Sequence, residues 1–252
     1  MGLEGRFALV TGGNRGIGAA IAVALAADGA DVAINYRRDE ESAQATAKEI
    51  TVLGRRCETY QASVDDLDAD TAMVEAVLAD FGHVDLLVHS AGIASRGQTV
   101  ADTDPAEIER VWRVHALGAF MVSKLVLPSM RTQERGDIVY ISSAATTYLA
   151  GWSSPYNMAK ASLESLARTL AKEERTHGIH VNVVAPGLVD TDMGRRLVRA
   201  TRGAEDIRTL DAGSPFGHVC SPDEIADVVR WVVSDAATYV NDQRIVVDGG
   251  SF

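Results

Sequence analysis

Two side chains that could act together on a proton, Tyr156 and Lys160, lie four residues apart in the stretch SSPYNMAKASLES. On a helix this spacing puts both on one face, one turn apart. A free tyrosine titrates near pKa 10. An ammonium about 4 Å away contributes up to about 4 kcal/mol at an effective dielectric of about 20, which would favour the phenolate. Such a pair could serve as general acid and base, but any long helix offers this spacing, so the two could also be mere neighbours.

A second stretch has the residue types that bind phosphate. The apolar run FALV is followed at once by TGGNRGIG, which contains Gly12, Gly16 and Gly18, and then by the helical AAIAVALAADG. Between a strand and a helix, glycines permit positive φ angles and let a pyrophosphate approach the backbone and the helix N-terminus. A tight turn without a ligand is the alternative, but the strand-to-helix context favours a dinucleotide.

The end of the second predicted strand indicates which dinucleotide binds. An acidic residue there would bind the ribose 2′-hydroxyl and repel a 2′-phosphate. The sequence instead reads INYRRDEE, with Tyr36 and Arg37 at the strand end and Arg15 in the glycine loop. Two guanidinium groups can grip a phosphate with forked, charge-assisted bonds, so we expect NADP(H) rather than NAD(H). The alternative is that Arg37 and Arg38 pair with the acids at 39–41.

These residues need a scaffold that brings distant segments together, and the hydrophobic pattern predicts one. Short apolar runs predict buried strands at 7–10, 31–35, 84–89, 137–142, 180–184 and 244–247, with a weaker one near 55–64. Segments with helical spacing lie near 16–28, 39–53, 66–81, 104–130, 155–177 and 221–234. Strands that alternate with helices predict a doubly wound α/β fold, a parallel sheet with helices on both faces. We expect one domain over residues 1–252, with one long irregular region at 187–220.

Composition narrows the function classes. The chain carries a net charge of −11, which argues against general binding to nucleic acids or anionic membranes. Its longest apolar run, 17–27, is too short to span a bilayer, and its N-terminus lacks the pattern of a signal peptide. Cys57 and Cys220 form no metal or redox motif, so a reducing cytoplasm is the expected compartment.

Taken in order, TGGNRGIG, ISS at 141–143 and YNMAK resemble the short-chain dehydrogenase/reductase family over nearly the whole chain. Ser143 precedes Tyr156 by 13 residues (156 − 143), close to the family's usual interval. PGLVDT (186–191) and VVDGG (246–250) match two further family segments. The stretch at 214–235 resembles the tail of 3-oxoacyl-acyl-carrier-protein reductases. The resemblance implies a Rossmann fold of about seven strands, a nicotinamide dinucleotide cofactor, and hydride transfer that interconverts a carbonyl and an alcohol.

The resemblance also implies roles for single residues. Tyr156 would be the general acid, Lys160 would bind the nicotinamide ribose and favour the tyrosinate, and Ser143 would hold the substrate oxygen. Tyr156 and Lys160 would also touch the cofactor. The other expected cofactor contacts are Gly12, Asn14, Arg15, Gly16, Ile17, Gly18, Tyr36, Arg37, Ser63, Val64, Ser90, Ala91, Gly92, Pro186, Gly187, Val189 and Thr191.

Three segments depart from the family pattern. His115 stands in VHALG, where the family has an Asn that anchors a water in a proton relay. A histidine could relay protons itself, since its reference pKa is near 6.5, or it could be a structural replacement, and the sequence leaves both open. HSAG (89–92) replaces NNAG, so Ser90 could lose one bond that holds the central sheet. Ser63 and Val64 replace Asp-Val, so Ser63 could still bond adenine, but without a charge.

The sequence therefore predicts an NADP(H)-dependent enzyme that reduces a small-molecule carbonyl to an alcohol, with no metal, since His89 and His115 lack the neighbours of a zinc site. The resemblance implies a homotetramer paired through helices 104–130 and 155–177. Five arginines in 194–208 could receive an anionic substrate such as an acyl thioester carrier, although a solvated helix with its own acidic partners is the simpler interpretation. Tyr148 and Trp152 could line the pocket or its rim.

Two other functions stay open. The departures at His115, Ser90 and Ser63 would suit a nucleotide-binding regulatory protein that has lost catalysis. An NAD-dependent alcohol dehydrogenase or an epimerase-like enzyme of the same fold is the other alternative. The complete set of Ser143, Tyr156 and Lys160 argues against the first, and the paired arginines argue against the second.

Overall fold

The computed structural model describes residues 2–251. At its centre is a seven-stranded sheet in the order β3-β2-β1-β4-β5-β6-β7, and each strand runs parallel to its neighbours. The strands are β1 (Phe7–Thr11), β2 (Asp31–Tyr36), β3 (Cys57–Gln61), β4 (Leu86–His89), β5 (Gly136–Ile141), β6 (Ile179–Pro186) and β7 (Arg244–Val247). Helices cover both faces, which confirms the predicted doubly wound Rossmann fold.

The strands were recognisable because most of them are buried on both faces. β1, β4 and β5 are buried along their whole length, and such strands have continuous apolar sequences rather than alternating ones. β3 lies at one edge of the sheet and its sequence CETYQ is only partly buried. Its position at the edge explains why its pattern was the weakest of the seven.

The helices form two layers. They are α1 (Gly16–Ala27), α2 (Glu40–Val52), α3 (Leu67–Phe81), α4 (Pro105–Trp112), α5 (Gly118–Met130), α6 (Ala145–Tyr148), α7 (Ser154–Glu174), α8 (Asp192–Arg202) and α9 (Pro222–Val232). One apolar cluster joins α1, α2 and α9 to one face of the sheet. A second joins α3, α5 and α7 to the other face. Within residues 2–251, no helix combines the length and the apolar character needed to cross a membrane.

Two predicted segments differ from the structure. The helix predicted at 104–130 is divided by a π-helical turn at Arg113–Leu117, which lies between α4 and α5. The irregular region predicted at 187–220 is wrong in part, because it contains the eleven-residue helix α8. Of the residues in α8 only Gly194 and Val198 are buried, so its sequence lacks the apolar periodicity by which the other helices are recognised.

The strand order places the functional cleft. From β1 the chain moves outward to β2 and β3, and from β4 it moves outward in the opposite direction to β5, β6 and β7. Ligands of open α/β sheets bind beyond the carboxyl ends of the strands at such a reversal point. The loops after β1 and β4 therefore meet where a ligand would bind.

Candidate active site

The loop between β1 and α1 is shaped by glycines. Gly12 has a φ of +62° and Gly16 one of +55°, in the left-handed region that favours glycine. A Cβ on Gly12 would lie 2.9 Å from the Ala91 Cα, and one on Gly18 would collide with the Gly12 carbonyl oxygen. The loop therefore packs closely against the segment after β4 and against the first turn of α1.

The N-terminus of α1 is open to a ligand. Arg15 is its N-cap residue and makes no side-chain capping hydrogen bond, whereas Asp39 and Asp66 cap α2 and α3 with their carboxylates. Uncapped backbone N–H groups, together with the positive end of the helix dipole, suit a pyrophosphate. The glycine loop thus fits the dinucleotide that the sequence predicts.

Two other predicted cofactor residues of this loop are turned into the protein. The Asn14 Nδ2 donates to the Asp39 carbonyl at 3.4 Å, and the Asn14 carbonyl accepts from the Thr46 hydroxyl at 3.3 Å. Ile17 packs against the apolar cluster of α1, α2 and α9. Both side chains support the shape of the loop.

Asn35, at the end of β2, is a residue that the sequence analysis missed. Its backbone carbonyl accepts from the Gly13 N–H at 3.1 Å, and its Oδ1 accepts from the Gly12 N–H at 3.4 Å. Its Nδ2 donates to the Ala62 carbonyl at 3.0 Å. Asn35 therefore joins the glycine loop to the end of β3, a link that only the fold reveals.

The two arginines proposed for the 2′-phosphate are exposed and free to contact a ligand. Arg15 and Arg37 are exposed, and in the part of the chain that the structure describes neither forms an ion pair. The alternative, in which Arg37 and Arg38 pair with the following acids, is not found, since Asp39 caps α2 instead. Tyr36 is buried at the strand end, 6% exposed.

The segment after β3 contains Ser63 and Val64. The Ser63 hydroxyl donates to the Asp65 carboxylate at 2.5 Å, so its proton is already engaged and only its oxygen lone pairs could meet an adenine. Val64 is buried, and its carbonyl oxygen lies where a Cβ on Gly118 would be. This contact fixes the start of α5 against the segment that follows β3.

The end of β4 is held to β1 by a side chain other than the one expected. The Ser90 N–H donates to the Thr11 carbonyl at 3.2 Å, but the Ser90 hydroxyl makes no hydrogen bond among the described residues. The His89 Nδ1 lies 3.1 Å from the Thr11 Oγ1, which accepts from the Ala91 N–H at 3.2 Å. Burial, and next the Lys160 charge, lower the pKa of His89 to about 3, so this link is made by a neutral ring.

Ser143 and the Tyr156–Lys160 pair come together from two segments. Ser143 follows β5, and the other two lie on the first turns of α7. The Lys160 Nζ donates to the Ile141 carbonyl at 2.6 Å and lies 5.8 Å from the centroid of the Tyr156 ring. The lysine is 4% exposed, so the start of α7 buries an amino group directly behind the tyrosine.

Burial dominates the ionisation of this group. It raises the pKa of Tyr156 to about 12, although hydrogen bonding by the Ser143 side chain acts in the opposite direction. It lowers the pKa of Lys160 to about 7, although the Glu164 carboxylate acts to raise it. The net shift of the Tyr156 pKa is therefore upward, opposite in direction to the shift expected from Lys160. The phenol keeps its proton at neutral pH.

His115 lies in the π-helical turn and is 1% exposed. Its Nε2 lies 2.8 Å from the Ile93 carbonyl oxygen and 3.1 Å from the Ile93 nitrogen, and the tautomer decides which contact is the hydrogen bond. Its ring meets that of Tyr156 edge-on, with centroids 5.4 Å apart. It also fills the space beside Gly92, where a Cβ would lie 2.6 Å from the His115 Cε1. These contacts suit a structural replacement.

The ionisation of His115 bears on the relay. Burial, followed by the Lys160 charge, lowers its pKa well below 6.5, so the ring is neutral near pH 7. Its Nδ1 has no hydrogen-bond partner among the described residues. The relay stays a prediction that no contact in the structure tests.

Comparison with known proteins identifies the family. The family model described as "Enoyl-(Acyl carrier protein) reductase" matches residues 12–251. This chain belongs to the short-chain dehydrogenase/reductase family. Membership makes it one of a family of oxidoreductases that bind a nicotinamide cofactor.

Several relatives match over nearly their whole length. Versicolorin reductase stcU from Emericella nidulans is 37% identical over 99% of this chain and 97% of its own. The 3-oxoacyl-[acyl-carrier-protein] reductase FabG of Escherichia coli is 36% identical over 100% of this chain and 99% of its own. A short-chain dehydrogenase from Burkholderia cenocepacia, solved in complex with NADP, is 37% identical with a TM-score of 0.88, and the match covers 98% of each chain.

In this short-chain dehydrogenase/reductase, the segment after β6 closes the cleft from the far side. Pro186 ends β6, and a Cβ on Gly187 would lie 2.9 Å from the Asp248 Cβ, so the PGLVDT and VVDGG segments pack together. Val189 is buried and forms an isolated bridge with Cys220. The two family segments thus brace each other beside the sheet.

Thr191 links that segment to the glycine loop. Its Oγ1 accepts from the Gly194 N–H at 3.1 Å and so caps α8. Its Cγ2 lies 3.3 Å from the place where a Cβ on Gly16 would be. The start of α8 therefore faces the start of α1 across the cleft.

Most of the arginines of 194–208 have acidic partners. Arg195 and Arg208 both contact the Asp190 carboxylate, at 2.9 and 3.0 Å, and Arg199 contacts Glu205 at 3.2 Å. The other two, at 196 and 202, form no ion pair with any residue that the structure describes. The simpler interpretation, a solvated helix with its own partners, thus holds for three of the five.

The two aromatic residues expected to line the pocket or its rim are partly exposed. Tyr148 and Trp152, which lie between Ser143 and Tyr156, are 41% and 66% exposed. Across residues 2–251, no group of three or more His, Cys, Asp or Glu side chains has the arrangement of a metal site.

Proposed function

We propose that this protein is an NADP(H)-dependent reductase that converts a ketone or other carbonyl into an alcohol. The observation that carries the proposal is the convergence of Ser143, Tyr156 and Lys160 at the carboxyl edge of the sheet, on the same side as the glycine loop. Three residue types from two segments are brought into hydrogen-bonding or charge contact there. We infer that the site lies within a single domain, 1–252.

Each member of the group has a chemical task. A bound nicotinamide supplies the hydride when the carbonyl carbon is reduced. As the C–H bond forms, Tyr156 gives its hydroxyl proton to the carbonyl oxygen, so that the O–H bond forms together with it. Ser143 holds that oxygen and stabilises the negative charge that develops on it. Lys160 provides a donor-rich group behind the tyrosine, suited to binding the nicotinamide ribose.

The ionisation of Tyr156 suits a general acid. Reduction needs a tyrosine that carries a proton, and burial raises the pKa of Tyr156 to about 12. The phenol is therefore available as a proton donor throughout the neutral range.

The exposed guanidinium groups of Arg15 and Arg37 support NADP(H) as the cofactor. No ion pair with a described residue has to be broken before they engage a 2′-phosphate, and forked, charge-assisted bonds would hold it. The relative from B. cenocepacia was solved in complex with NADP, which agrees with this preference. We propose a small-molecule carbonyl as substrate, and the carrier-protein reductase among the relatives puts 3-oxoacyl thioesters in the test panel.

The test follows NADPH and NADH absorbance with a panel of carbonyls that includes a 3-oxoacyl thioester. We expect wild type to consume NADPH and Tyr156→Phe to lose roughly 100-fold to 10,000-fold in kcat, the usual worth of a general acid. Tyr239→Phe removes the same hydroxyl from a fully exposed tyrosine and should match wild type. Faster turnover with NADH than with NADPH would contradict the cofactor assignment.

One observation favours a second candidate, a nucleotide-binding regulatory protein without catalysis. His115 stands where the family's relay has Asn, and its Nδ1 has no partner among the described residues. Tight NADPH binding with no turnover on any carbonyl, in wild type as in Tyr156→Phe, would favour this candidate.

We also propose that the protein is a cytoplasmic homotetramer. A groove of about 270 Å³ between α5 and α7 is lined by Phe120, Leu127, Pro128 and Leu166, and Phe120 is 49% exposed. Subunits that pair through these helices would cover it. The unpaired thiols of Cys57 and Cys220 suit a reducing compartment. Light scattering should give the mass of four chains, and Phe120→Asp should lower it.

A further inference from the structure

Behind the segment that carries Ser143 lies an ion pair that the sequence analysis did not identify. Glu164 on α7 and Arg244 on β7 are 80 residues apart in the chain, and the Arg244 Nε lies 2.9 Å from the Glu164 Oε1. Their side chains are only 14% and 18% exposed. A pair as sheltered as this is weakly screened by solvent.

The pair holds the Ser143 segment at several points. The Glu164 Oε1 accepts from the Ser142 hydroxyl at 2.6 Å and lies 2.8 Å from the Thr146 Oγ1. The Arg244 Nη2 donates to the Ser143 carbonyl at 3.2 Å and to the Thr146 Oγ1 at 2.7 Å. The two side chains thus grip the segment before, at and after Ser143.

Glu164 also acts on Lys160. It follows Lys160 by four residues on α7, so the two side chains lie on one face of the helix. Burial lowers the pKa of Lys160 and the Glu164 carboxylate opposes that effect. One carboxylate therefore touches the serine segment and also supports the charge of the lysine.

We propose that Glu164 and Arg244 are positioning residues for the carbonyl reduction described above. Arg244 and Glu164 fix the backbone that aims the Ser143 hydroxyl, and Glu164 favours the cationic form of Lys160 that burial disfavours. The kinetic part of this inference rests on the proposed function. The part that concerns the backbone does not.

The other ionisable groups around Lys160 come from three elements. Tyr156 shares α7, His115 comes from the π-helical turn, and His89 comes from β4. Both histidines are neutral near pH 7. Arg244, on β7, reaches Lys160 only through Glu164. A change of charge at Glu164 or Arg244 should therefore be felt at Lys160 with opposite signs.

The first experiment is the pH dependence of kcat and KM for Glu164→Gln and Arg244→Met. Displacement of a reacting group by about 1 Å costs on the order of 100-fold, so we expect kcat to fall about 10-fold to 100-fold in each variant with KM unchanged. Glu164→Gln should move the alkaline limb of the reduction profile to lower pH, because Lys160 loses its neighbouring anion. Arg244→Met should move it to higher pH, because the anion is no longer neutralised.

Glu174→Gln is the matched control. It also removes one carboxylate from α7 and breaks an ion pair, with Arg131 at 2.6 Å, but at the opposite end of the helix. Because Glu174 also lines the groove between α5 and α7, light scattering first checks that the mass of the variant is unchanged. We then expect its kcat and pH profile to match wild type. Arg244→Lys replaces Arg244→Met if the latter folds poorly, and its single ammonium should restore the charge without the forked bonds.

A second experiment does not need turnover. The Ser142, Ala144 and Thr146 amides donate to Val184, Pro186 and Ser143 carbonyls, so their hydrogen exchange reports how firmly the segment is held. Exchange of a peptide that covers 142–147 should be faster in Glu164→Gln and Arg244→Met, and unchanged in Glu174→Gln.

The outcomes separate the two proposals. Faster exchange in an enzyme that reduces no carbonyl would support the positioning pair and reject the proposed function. Unchanged exchange in both variants would overturn the positioning pair, whatever the kinetics. Limbs that shift in the same direction, or not at all, would overturn the role of Glu164 toward Lys160.

Discussion

Asp70 on α3 occupies a position meant for an apolar residue. The helix turns residues 70, 73, 74 and 77 toward the core, and the last three are Met73, Val74 and Val77. The Asp70 side chain is fully buried, and neither of its carboxylate oxygens has a hydrogen-bond partner among residues 2–251. Burying an ionised carboxylate without hydrogen-bond partners costs free energy, and protonation of the carboxylate removes that cost.

The magnitude follows from its ionisation. Burial first, and then the charges of Asp66 and Asp65, raise the pKa of Asp70 from 3.8 to about 7. Each pKa unit corresponds to about 1.4 kcal/mol, so the ionised form destabilises the folded state by about 4 kcal/mol. Because the folded state binds the proton more tightly, this group's contribution to stability falls as pH rises from about 4 to about 7 and then levels off.

We expect Asp70→Asn to remove this dependence. Asparagine has nearly the same shape and also lacks a partner, so the two proteins should have similar free energies of unfolding near pH 4. At pH 8 the variant should be the more stable by about 4 kcal/mol, and at pH 5 by about 2 kcal/mol. Urea titrations followed by circular dichroism at pH 4, 5 and 8 give these values, with equal m-values required for the comparison.

Asp68→Asn is the control. Asp68 lies in the first turn of the same helix and is exposed, so this variant makes the same change in net charge without relieving a buried group. Its free energy of unfolding should stay at a constant offset from wild type across this pH range. If the difference between Asp70→Asn and wild type were the same at pH 5 and pH 8, our account of Asp70 would be refuted.

Three further predictions concern the glycine loop, the cofactor and the packing of α9. Gly18→Ala should abolish NADPH binding measured by fluorescence, because the new Cβ would collide with the Gly12 carbonyl oxygen. Gly151→Ala is the control and should bind NADPH normally, because a Cβ there would meet nothing within 4 Å. Arg15→Ala and Arg37→Ala should each raise the KM for NADPH roughly 10-fold to 100-fold, which is what one hydrogen bond to a charged group contributes. The KM for NADH should stay unchanged in both variants, and Arg38→Ala serves as the control. An equal rise for both cofactors would contradict a 2′-phosphate site. Asp28→Asn should lower the free energy of unfolding in urea by about 2 kcal/mol, between the values for exposed and buried ion pairs. The reason is that Arg230 on α9 makes two hydrogen bonds to this 6%-exposed carboxylate. A loss under about 0.5 kcal/mol, no more than a weak exposed pair contributes, would show that the pair does not hold α9 against α1.

The strands and most helices could be predicted because apolar residues recur along the sequence at the positions that are buried. The run RIVV at 244–247 became β7 at the predicted residues, and VDLLVH at 84–89 differed from β4 by two residues at its start. α8 could not be found in this way, since its exposed face is rich in arginine and only two of its residues are buried.

The sequence predicts that Ser143, Tyr156 and Lys160 come together, as they do, but it does not predict their ionisation. Spacing alone places Tyr156 and Lys160 on one face, but it does not reveal that burial raises the pKa of the tyrosine and lowers that of the lysine. The pKa of the tyrosine was therefore expected to move in the wrong direction. Contacts between distant segments, such as Asn35 with the glycine loop or Arg244 with Glu164, have no signature in the sequence because each partner is unremarkable by itself.

His115 and Gly92 are complementary in volume, so neither position can be redesigned alone. The imidazole ring occupies the volume that any side chain at position 92 would need, so position 92 is closed to substitution for as long as the histidine remains. A shorter residue at 115 would open that volume but would free the Ile93 peptide that the ring now holds. A side chain at position 92 therefore requires a smaller residue at 115, and the cleft wall then loses the bond that holds Ile93.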